Sequence, residues 1–353
     1  MKIHEKYIKR CIELAKNGLG TTYPNPLVGS VIVYENQIIG EGWHRKAGEP
    51  HAEVNAVNSV KDKSLLSKST IYVSLEPCSH FGKTPPCCDL IIANKIQNIV
   101  IGTIDPFAKV SGNGIKKLIE AGKNVTVGIL EDECNELNKR FFTFHKNKRP
   151  YVILKWAESQ DGFLSPDEIL RKAQNDNEKK PVWITNQYSR QLVHKWRTEE
   201  QAILVGTQTV LDDNPKLDSR YWKGNNPVRI VLDRTGKISN DYFVKDNKSE
   251  TIIITEQENL QNSSKISFEN AIFDSNLAFS VLDILHKKDI QSVIIEGGKQ
   301  TLQTFIDANL WDEARVFKGT NSFGNGTKAP DFKGNLISKE TILNDELLIF
   351  KSV

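Results

Sequence analysis

Two successive α/β domains are the fold class the sequence predicts, and three observations predict it. The chain has 353 residues, about twice what one hydrophobic core organises. Apolar runs of strand length alternate with apolar residues at helical spacing along most of it. Near the middle, Phe141-Phe142-Thr143-Phe144-His145-Lys146-Asn147-Lys148-Arg149-Pro150 passes from an apolar helix end through a basic run to a proline. The boundary is placed there, giving domains 1–146 and 150–353.

In the first domain, Ile8, Cys11, Ile12 and Ala15 recur at helical spacing over residues 5–17, and Gly18 supplies the stop. Leu27 to Tyr34 and Gln37 to Trp43 read as a strand pair, followed by a helix from about His51, a strand at Thr70 to Leu75 and a helix from about Pro86. Strands follow near Asn98 to Gly102 and Asn124 to Val127 with a helix between them. Intervening helices make the later strands parallel. In the second domain, Tyr151 to Ala157, Gln201 to Gly206, Val228 to Asp233, Thr251 to Thr255 and Ser292 to Glu296 are strand-like. Ser189 to Arg197, Ala278 to Lys287 and Gln300 to Ala308 are helical, and the polar segment Pro166 to Lys180 reads as a mobile loop.

Apolar residues at 39% and charged residues at 26% exclude a disordered or collagen-like chain. Lys+Arg 47 against Asp+Glu 44 leaves a net charge of +3, too even for a dedicated nucleic-acid binder but compatible with a small phosphorylated ligand. No apolar run is long enough for a membrane span, and Met1-Lys2-Ile3-His4-Glu5-Lys6 lacks the apolar core of a signal peptide, so a cytoplasmic protein is expected. Of the cysteines, Cys78, Cys87 and Cys88 cluster, which in a reducing compartment points to metal or catalysis rather than disulfides.

Pro50-His51-Ala52-Glu53 stands where a strand gives way to a helix, Glu76-Pro77-Cys78 directly follows an apolar strand, and Cys87 opens another helix. Singly, each fits a buried cysteine or a surface histidine. Together, one imidazole and two thiolates make a three-ligand zinc site with the fourth position open, the catalytic pattern. Helix N-termini favour the thiolate forms. Glu53, two residues past His51, can reach the open position without ligating and act as general acid and base. His-x-Glu with Pro-Cys and a second helix-start Cys is a zinc-deaminase signature. Here the spacer between the cysteines, Ser79 to Pro86, forms a loop of its own.

The run Pro24-Asn25-Pro26-Leu27-Val28-Gly29, then His51-Ala52-Glu53, then Glu76-Pro77-Cys78-Ser79-His80-Phe81-Gly82-Lys83-Thr84-Pro85-Pro86-Cys87-Cys88, resembles the deaminase half of the bifunctional riboflavin-biosynthesis deaminase/reductase family. The resemblance implies a cytidine-deaminase-like three-layer domain, one Zn2+ per chain, and hydrolytic removal of the 2-amino group from a diaminohydroxypyrimidine with a phosphoribosylamino arm. Asn25 offers a donor and an acceptor to a pyrimidine edge. His44, His80 and Lys83 are cationic or switchable groups suited to a phosphate or a ring carbonyl, each weighed against a solvated loop residue. Cys88 is expected to point away from the ligands, and Cys11 and Cys134 to be small core residues.

In the second half, Ser292-Val293-Ile294-Ile295-Glu296-Gly297-Gly298-Lys299 is a buried strand ending in two glycines before a helix, where a pyrophosphate can sit. Lys155-Trp156-Ala157-Glu158-Ser159-Gln160-Asp161-Gly162, Trp183 to Arg197, and Gly206-Thr207-Gln208-Thr209-Val210-Leu211-Asp212-Asp213-Asn214-Pro215-Lys216-Leu217 resemble the reductase half of the same family, with a dihydrofolate-reductase-like fold. Carried over by position, Ala157, Trp183, Thr209, Asp213 and Gly298 contact NADPH, while Arg197, Leu217, Arg220 and Glu296 contact the phosphoribosyl substrate. Arg234, directly after a strand, is the candidate for the 2′-phosphate. The chain departs from the family pattern at Glu158, Gln160, Pro181 and over Phe317 to Gly324.

The expectation is therefore an enzyme that deaminates a small phosphorylated pyrimidine and then reduces its ribosyl chain with NADPH, with no nucleic-acid or membrane partner. Association into a homo-oligomer is left open. Three alternatives stand beside it: a deaminase with a degenerate reductase domain, a nucleic-acid deaminase with an accessory domain, and a non-catalytic zinc-containing nucleotide sensor.

Overall fold

A computed structural model describes residues 2–81, 85–107, 112–167 and 182–353. The chain divides into two compact units, Met1–Lys148 and Arg149–Val353.

In the first unit, α1 (Lys2–Ala15) buries Tyr7, Ile8, Cys11, Ile12, Leu14 and Ala15 on one stripe. Strands β1 (Gly29–Tyr34) and β2 (Gln37–Trp43) pair antiparallel. Glu35 and Asn36 between them both take positive φ, 48° and 62°, as a two-residue hairpin turn matched to strand twist requires. The strands β3 (Thr70–Leu75), β4 (Asn98–Thr103) and β5 (Asn124–Val127) complete a sheet of order β2-β1-β3-β4-β5, parallel across β3, β4 and β5.

Alternation along β3 divides the core. Ile71 and Val73 face the helices α2 (Ala52–Ser59), α3 (Cys87–Ala93) and α4 (Asn113–Glu120), whereas Tyr72 faces α1 and α5 (Glu131–Leu137). The result is three layers, helices on both faces of a sheet. Helix α6 (Lys139–Asn147) closes the unit, with Phe141 and Phe142 against Leu75. Two glycines set the layer spacing: a Cβ on Gly29 would lie 2.0 Å from the Cys11 carbonyl oxygen, and one on Gly42 2.5 Å from the Ala56 nitrogen.

The second unit contains β6 (Tyr151–Glu158), β7 (Phe163–Pro166), α7 (Gln187–Glu199), β8 (Ala202–Gly206), α8 (Thr207–Asp213), β9 (Val228–Leu232), β10 (Thr251–Thr255) and β11 (Ile266–Asn270). Then come α9 (Leu277–Lys287), β12 (Ser292–Ile295), α10 (Lys299–Asp307), β13 (Glu313–Lys318), β14 (Gly326–Lys328), β15 (Asn335–Ile342) and β16 (Asp345–Lys351). Nine strands form one sheet, β11-β10-β9-β8-β12-β6-β13-β16-β15, parallel from β11 through β13, with β16 antiparallel to both neighbours. Its central strands are covered on both faces, so they read as continuous apolar runs.

Pro166, expected in a mobile loop, instead ends β7 and pairs with Gly326 of β14. Residues 168–180 of that loop lie outside the described residues. No helix of the described residues is long and apolar enough to cross a membrane.

Candidate functional site

Three element ends converge in the first unit. His51 is the residue before α2, Cys78 follows β3 by three positions, and Cys87 is the first residue of α3. His51 Nδ1 lies 3.6 Å from Cys78 Sγ and 3.4 Å from Cys87 Sγ. A tetrahedral zinc with ordinary Zn–N and Zn–S bonds puts its nitrogen and sulfur ligands about 3.6 Å apart, so the donor set fits that ion. The Cys87 N–H donates to Cys78 Sγ at 3.3 Å. The hydrogen bond from the Cys87 thiol, with His51 beside it, lowers Cys78 to about 4, while the same bond pushes Cys87 up. His51 is raised by its bond to Cys78. A divalent cation placed among these three donors would satisfy both sulfurs and the ring nitrogen.

Glu53, in the first turn of α2, is 3% exposed, and burial raises its carboxyl pKa. The Cys78 and His51 charges act on its carboxyl, which therefore stands beside the ligand cluster. Cys88 is turned away, its Sγ bonded to the carbonyls of Pro77 at 3.4 Å and Gly114 at 3.5 Å. Cys11 and Cys134 are buried in the core beneath α1.

His44 is buried, with Nδ1 3.3 Å from the Pro50 carbonyl and Nε2 3.0 Å from Asn25 Nδ2. Nδ1–H therefore donates to Pro50, and Nε2 accepts from the Asn25 amide, which fixes how Asn25 is presented. Burial lowers the His44 pKa, which favours the neutral ring over a cationic role. The ring stands edge-on to His51, with centroids 5.3 Å apart. His80 is exposed at the start of the cysteine loop, and Lys83 lies outside the described residues.

In the second unit the parallel strands β9, β8, β12 and β6 end on one edge of the sheet, where open α/β sheets bind ligands. Gly206, Ala157 and the Glu296-Gly297-Gly298 turn lie there. A Cβ on Gly297 would sit 2.7 Å from Thr301 Cβ, so this turn can approach α10 only as glycine. The Gly298 N–H donates to Thr209 Oγ1 at 2.9 Å, which joins the two segments. Asp213 ends α8, and Trp183 is exposed with the Arg190 guanidinium 4.7 Å from its ring centroid. Arg234 Nε donates to Glu256 at 2.8 Å.

Glu296 accepts from Arg197 Nε at 3.2 Å and Nη2 at 2.9 Å, and Lys155 Nζ is 3.7 Å away. Burial alone would raise the Glu296 carboxyl, yet the Arg197 and Lys155 charges outweigh it and lower it to about 2. Asp218 links the arginines: its carbonyl accepts from Arg197 at 3.0 Å and its carboxylate pairs with Arg220. Leu217 has φ 52° and a buried side chain packed with Val210, Ile238 and Val244.

Three further groups belong to these surroundings. The buried Glu76 carboxylate accepts from the backbone N–H groups of Gly112 and Gly114 at 2.9 Å and of Asp105 and Ile115 at 3.3 Å, clamping the start of α4 beside the Cys78 turn. Its signal is a carboxylate directly after an apolar strand. Lys155 is signalled by a charge inside the apolar run of β6, and burial lowers its pKa. His194, one turn before Arg197, is lowered to about 4 by burial and by the Arg197 and Arg220 charges, and its buried Nδ1 lacks a hydrogen-bond partner among the described residues.

Residues 1–103 match the cytidine and deoxycytidylate deaminase zinc-binding region, and residues 150–346 match the RibD C-terminal domain. The riboflavin biosynthesis protein RibD of Aquifex aeolicus is 39% identical over 335 residues, covering 94% of this chain and 90% of that protein. RibD of Actinobacillus pleuropneumoniae is 41% identical over 320 residues, covering 88% of this chain and 82% of that protein. The crystal structure of a diaminohydroxyphosphoribosylaminopyrimidine deaminase/5-amino-6-(5-phosphoribosylamino)uracil reductase from Thermotoga maritima superposes with a TM-score of 0.88 at 38% identity, covering 100% of this chain and 99% of that one. A degenerate reductase half or an accessory domain on a nucleic-acid deaminase is not favoured, because the similarity runs through both halves. The chain belongs to the RibD family of riboflavin-biosynthesis proteins, with a zinc-binding deaminase domain and a reductase domain on one polypeptide.

Proposed function

We propose that the first unit holds one zinc ion through His51, Cys78 and Cys87 and converts 2,5-diamino-6-(5-phosphoribosylamino)pyrimidin-4(3H)-one into 5-amino-6-(5-phosphoribosylamino)uracil. The observation that carries this reading is the pair of His51-to-sulfur distances, 3.6 and 3.4 Å, with the buried Glu53 alongside. When bound, zinc acts as a Lewis acid and lowers the pKa of water at the open position. Glu53 accepts a proton from the attacking water, passes it to the ring nitrogen, and delivers the next to the departing amine, so water and amine become carbonyl and ammonia. Asn25, held by His44, reads the pyrimidine edge, while His80 and Lys83 serve the phosphoribosyl arm.

The second unit takes the deaminated product and reduces its ribosyl chain to ribityl. NADPH supplies the hydride. Ala157, Trp183, Thr209, Asp213 and Gly298 hold the dinucleotide, with Arg234 at its 2′-phosphate. Arg197 and Arg220 suit the substrate phosphate by charge and fork geometry. Glu296 orients Arg197, and Leu217 contributes its backbone. Because the cofactor carries the reactive hydride, these residues need only align two molecules and exclude water.

The test is to give the zinc-loaded protein the diaminopyrimidine substrate with and without NADPH and to resolve products by mass. Deaminated ribosyl product alone, then ribityl product when NADPH is added, is expected. Reduction of the substrate before deamination would overturn the order, and no consumption of NADPH would overturn the reductase assignment.

A further inference from the structure

We infer that Glu256 is a specificity-determining residue of the reductase half, holding Arg234 in the orientation that accepts a 2′-phosphate. The inference rests on the NADPH reading above and adds a residue to it.

Arg234 belongs to the ligand edge of the sheet by direct connection. Thr207 Oγ1 at the start of α8 donates to the Leu232 carbonyl at 2.6 Å, and Arg234 follows Leu232 by two residues. The same segment reaches the glycine turn through Thr209 and Gly298. Its backbone is fastened from several sides. The Arg234 carbonyl accepts from Glu256 N at 3.0 Å and from Thr255 Oγ1 at 3.1 Å. The neighbouring Asp233 donates its N–H to Ile254, and its carboxylate accepts from Lys237 N at 2.9 Å and Ile238 N at 3.0 Å.

The side chain is fastened as well. Arg234 Nε donates to Glu256 Oε2 at 2.8 Å, and Glu256 Oε1 accepts from the Phe273 N–H at 2.7 Å. Two donors meet two oxygens, which a carboxylate satisfies and a carboxamide, with one oxygen and one NH2, does not. The bond to Glu256 uses Nε alone, and no hydrogen bond to the Nη atoms occurs among the described residues, so the two-nitrogen edge that matches phosphate stays available. An arginine 58% exposed would otherwise be free to sample many rotamers, and pre-ordering it removes part of the entropic cost of binding. Glu256 also brings a negative charge near the phosphate. Solvent and salt screen that repulsion at an exposed site, whereas the directional fork depends on being held.

The experiment titrates the full-length protein calorimetrically with adenosine 2′,5′-bisphosphate and with 5′-AMP. The ratio of the two affinities isolates the 2′-phosphate from any general change in the fold. Wild type should prefer the bisphosphate, and R234A should cut that preference roughly tenfold or more, the scale of a lost charged hydrogen bond. E256A and E256Q should each cut it roughly three- to tenfold with 5′-AMP binding unchanged, and R234K, a charge without the fork, should behave like E256A. An unchanged or increased preference in E256Q and E256A while R234A loses it would overturn the role of Glu256 and leave Arg234 standing. Retained preference in R234K would show that charge alone suffices and would overturn it too. No preference in wild type, or none lost in R234A, would instead overturn the reading of Arg234 as the 2′-phosphate residue.

Discussion

Replacing Glu296 with glutamine should weaken the reductase unit and remove part of its acid sensitivity. The carboxylate is 9% exposed, bonded twice to Arg197 and within 3.7 Å of Lys155. Its pKa falls from an ordinary 4.5 to about 2, against the upward push of burial and through the Arg197 and Lys155 charges. At about 1.4 kcal/mol per pKa unit this difference corresponds to about 3 kcal/mol of stability at neutral pH. The folded pKa is depressed, so this contribution is complete above the unfolded value and is lost as pH falls through the folded one. By linkage, about 2 kcal/mol of it disappears by roughly pH 3. Glu296→Gln should therefore cost about 3 kcal/mol at pH 7, at the low end for a broken buried pair. For a unit of this size that is roughly 6–12 °C in Tm. Trp156, Trp183, Trp196, Trp222 and Trp311 lie in this unit and only Trp43 in the other, so tryptophan emission during urea unfolding follows the reductase transition. Wild type should lose stability between pH 5 and 3 about 2 kcal/mol faster than the variant. Parallel pH profiles would refute the assignment of this acid sensitivity to Glu296.

Three further outcomes test the deaminase half. Cys87→Ser should strip zinc while Cys88→Ser retains it, measured by metal analysis after gel filtration; equal loss would sink the ligand set. Glu53→Gln should lower deamination by at least about 10²-fold with zinc and NADPH oxidation on deaminated substrate retained, and near-normal turnover in the zinc-loaded variant would remove its proton-transfer role. Asn138→Ala should cost roughly 2 kcal/mol in the first unit, because the buried amide both accepts from Leu27 N–H at 2.8 Å and donates to the Leu27 carbonyl at 2.9 Å; a change under about 0.5 kcal/mol by denaturant melting would contradict this.

The convergence of His51, Cys78 and Cys87 is legible in the sequence because only a few residue types can ligate zinc and because each of the three stands at a predictable element end. His51 and Cys87 mark helix starts, and Cys78 follows a strand. The central strands are legible for a similar reason, burial on both faces writing an apolar run. Strand β13 escapes that rule. Glu313 and Arg315 are buried within it, bonded to each other at 2.6 Å, so two charges break the apolar signal. The strand β15 is hidden by the opposite circumstance, an exposed edge that has little to bury. Side-chain direction is beyond the pattern altogether: Leu217 has φ 52° and a side chain packed in the core, which no spacing rule encodes. Lys155 and Glu76 stand in motifs visible from the start, but their roles depend on partners Glu296 and Gly112 to Ile115, far away in sequence.

The eight-residue spacer between Cys78 and Cys87 is pinned at its base. The Cys87 N–H reaches Cys78 Sγ at 3.3 Å, and the Cys88 N–H reaches the Cys78 carbonyl at 3.2 Å. Chain inserted between two points that are already stapled can change length or composition at small entropic cost and without moving the staple. The spacing of Cys78 and Cys87 is thus mechanically decoupled from the chain between them, which an engineer can exchange while His51, Cys78 and Cys87 keep their positions.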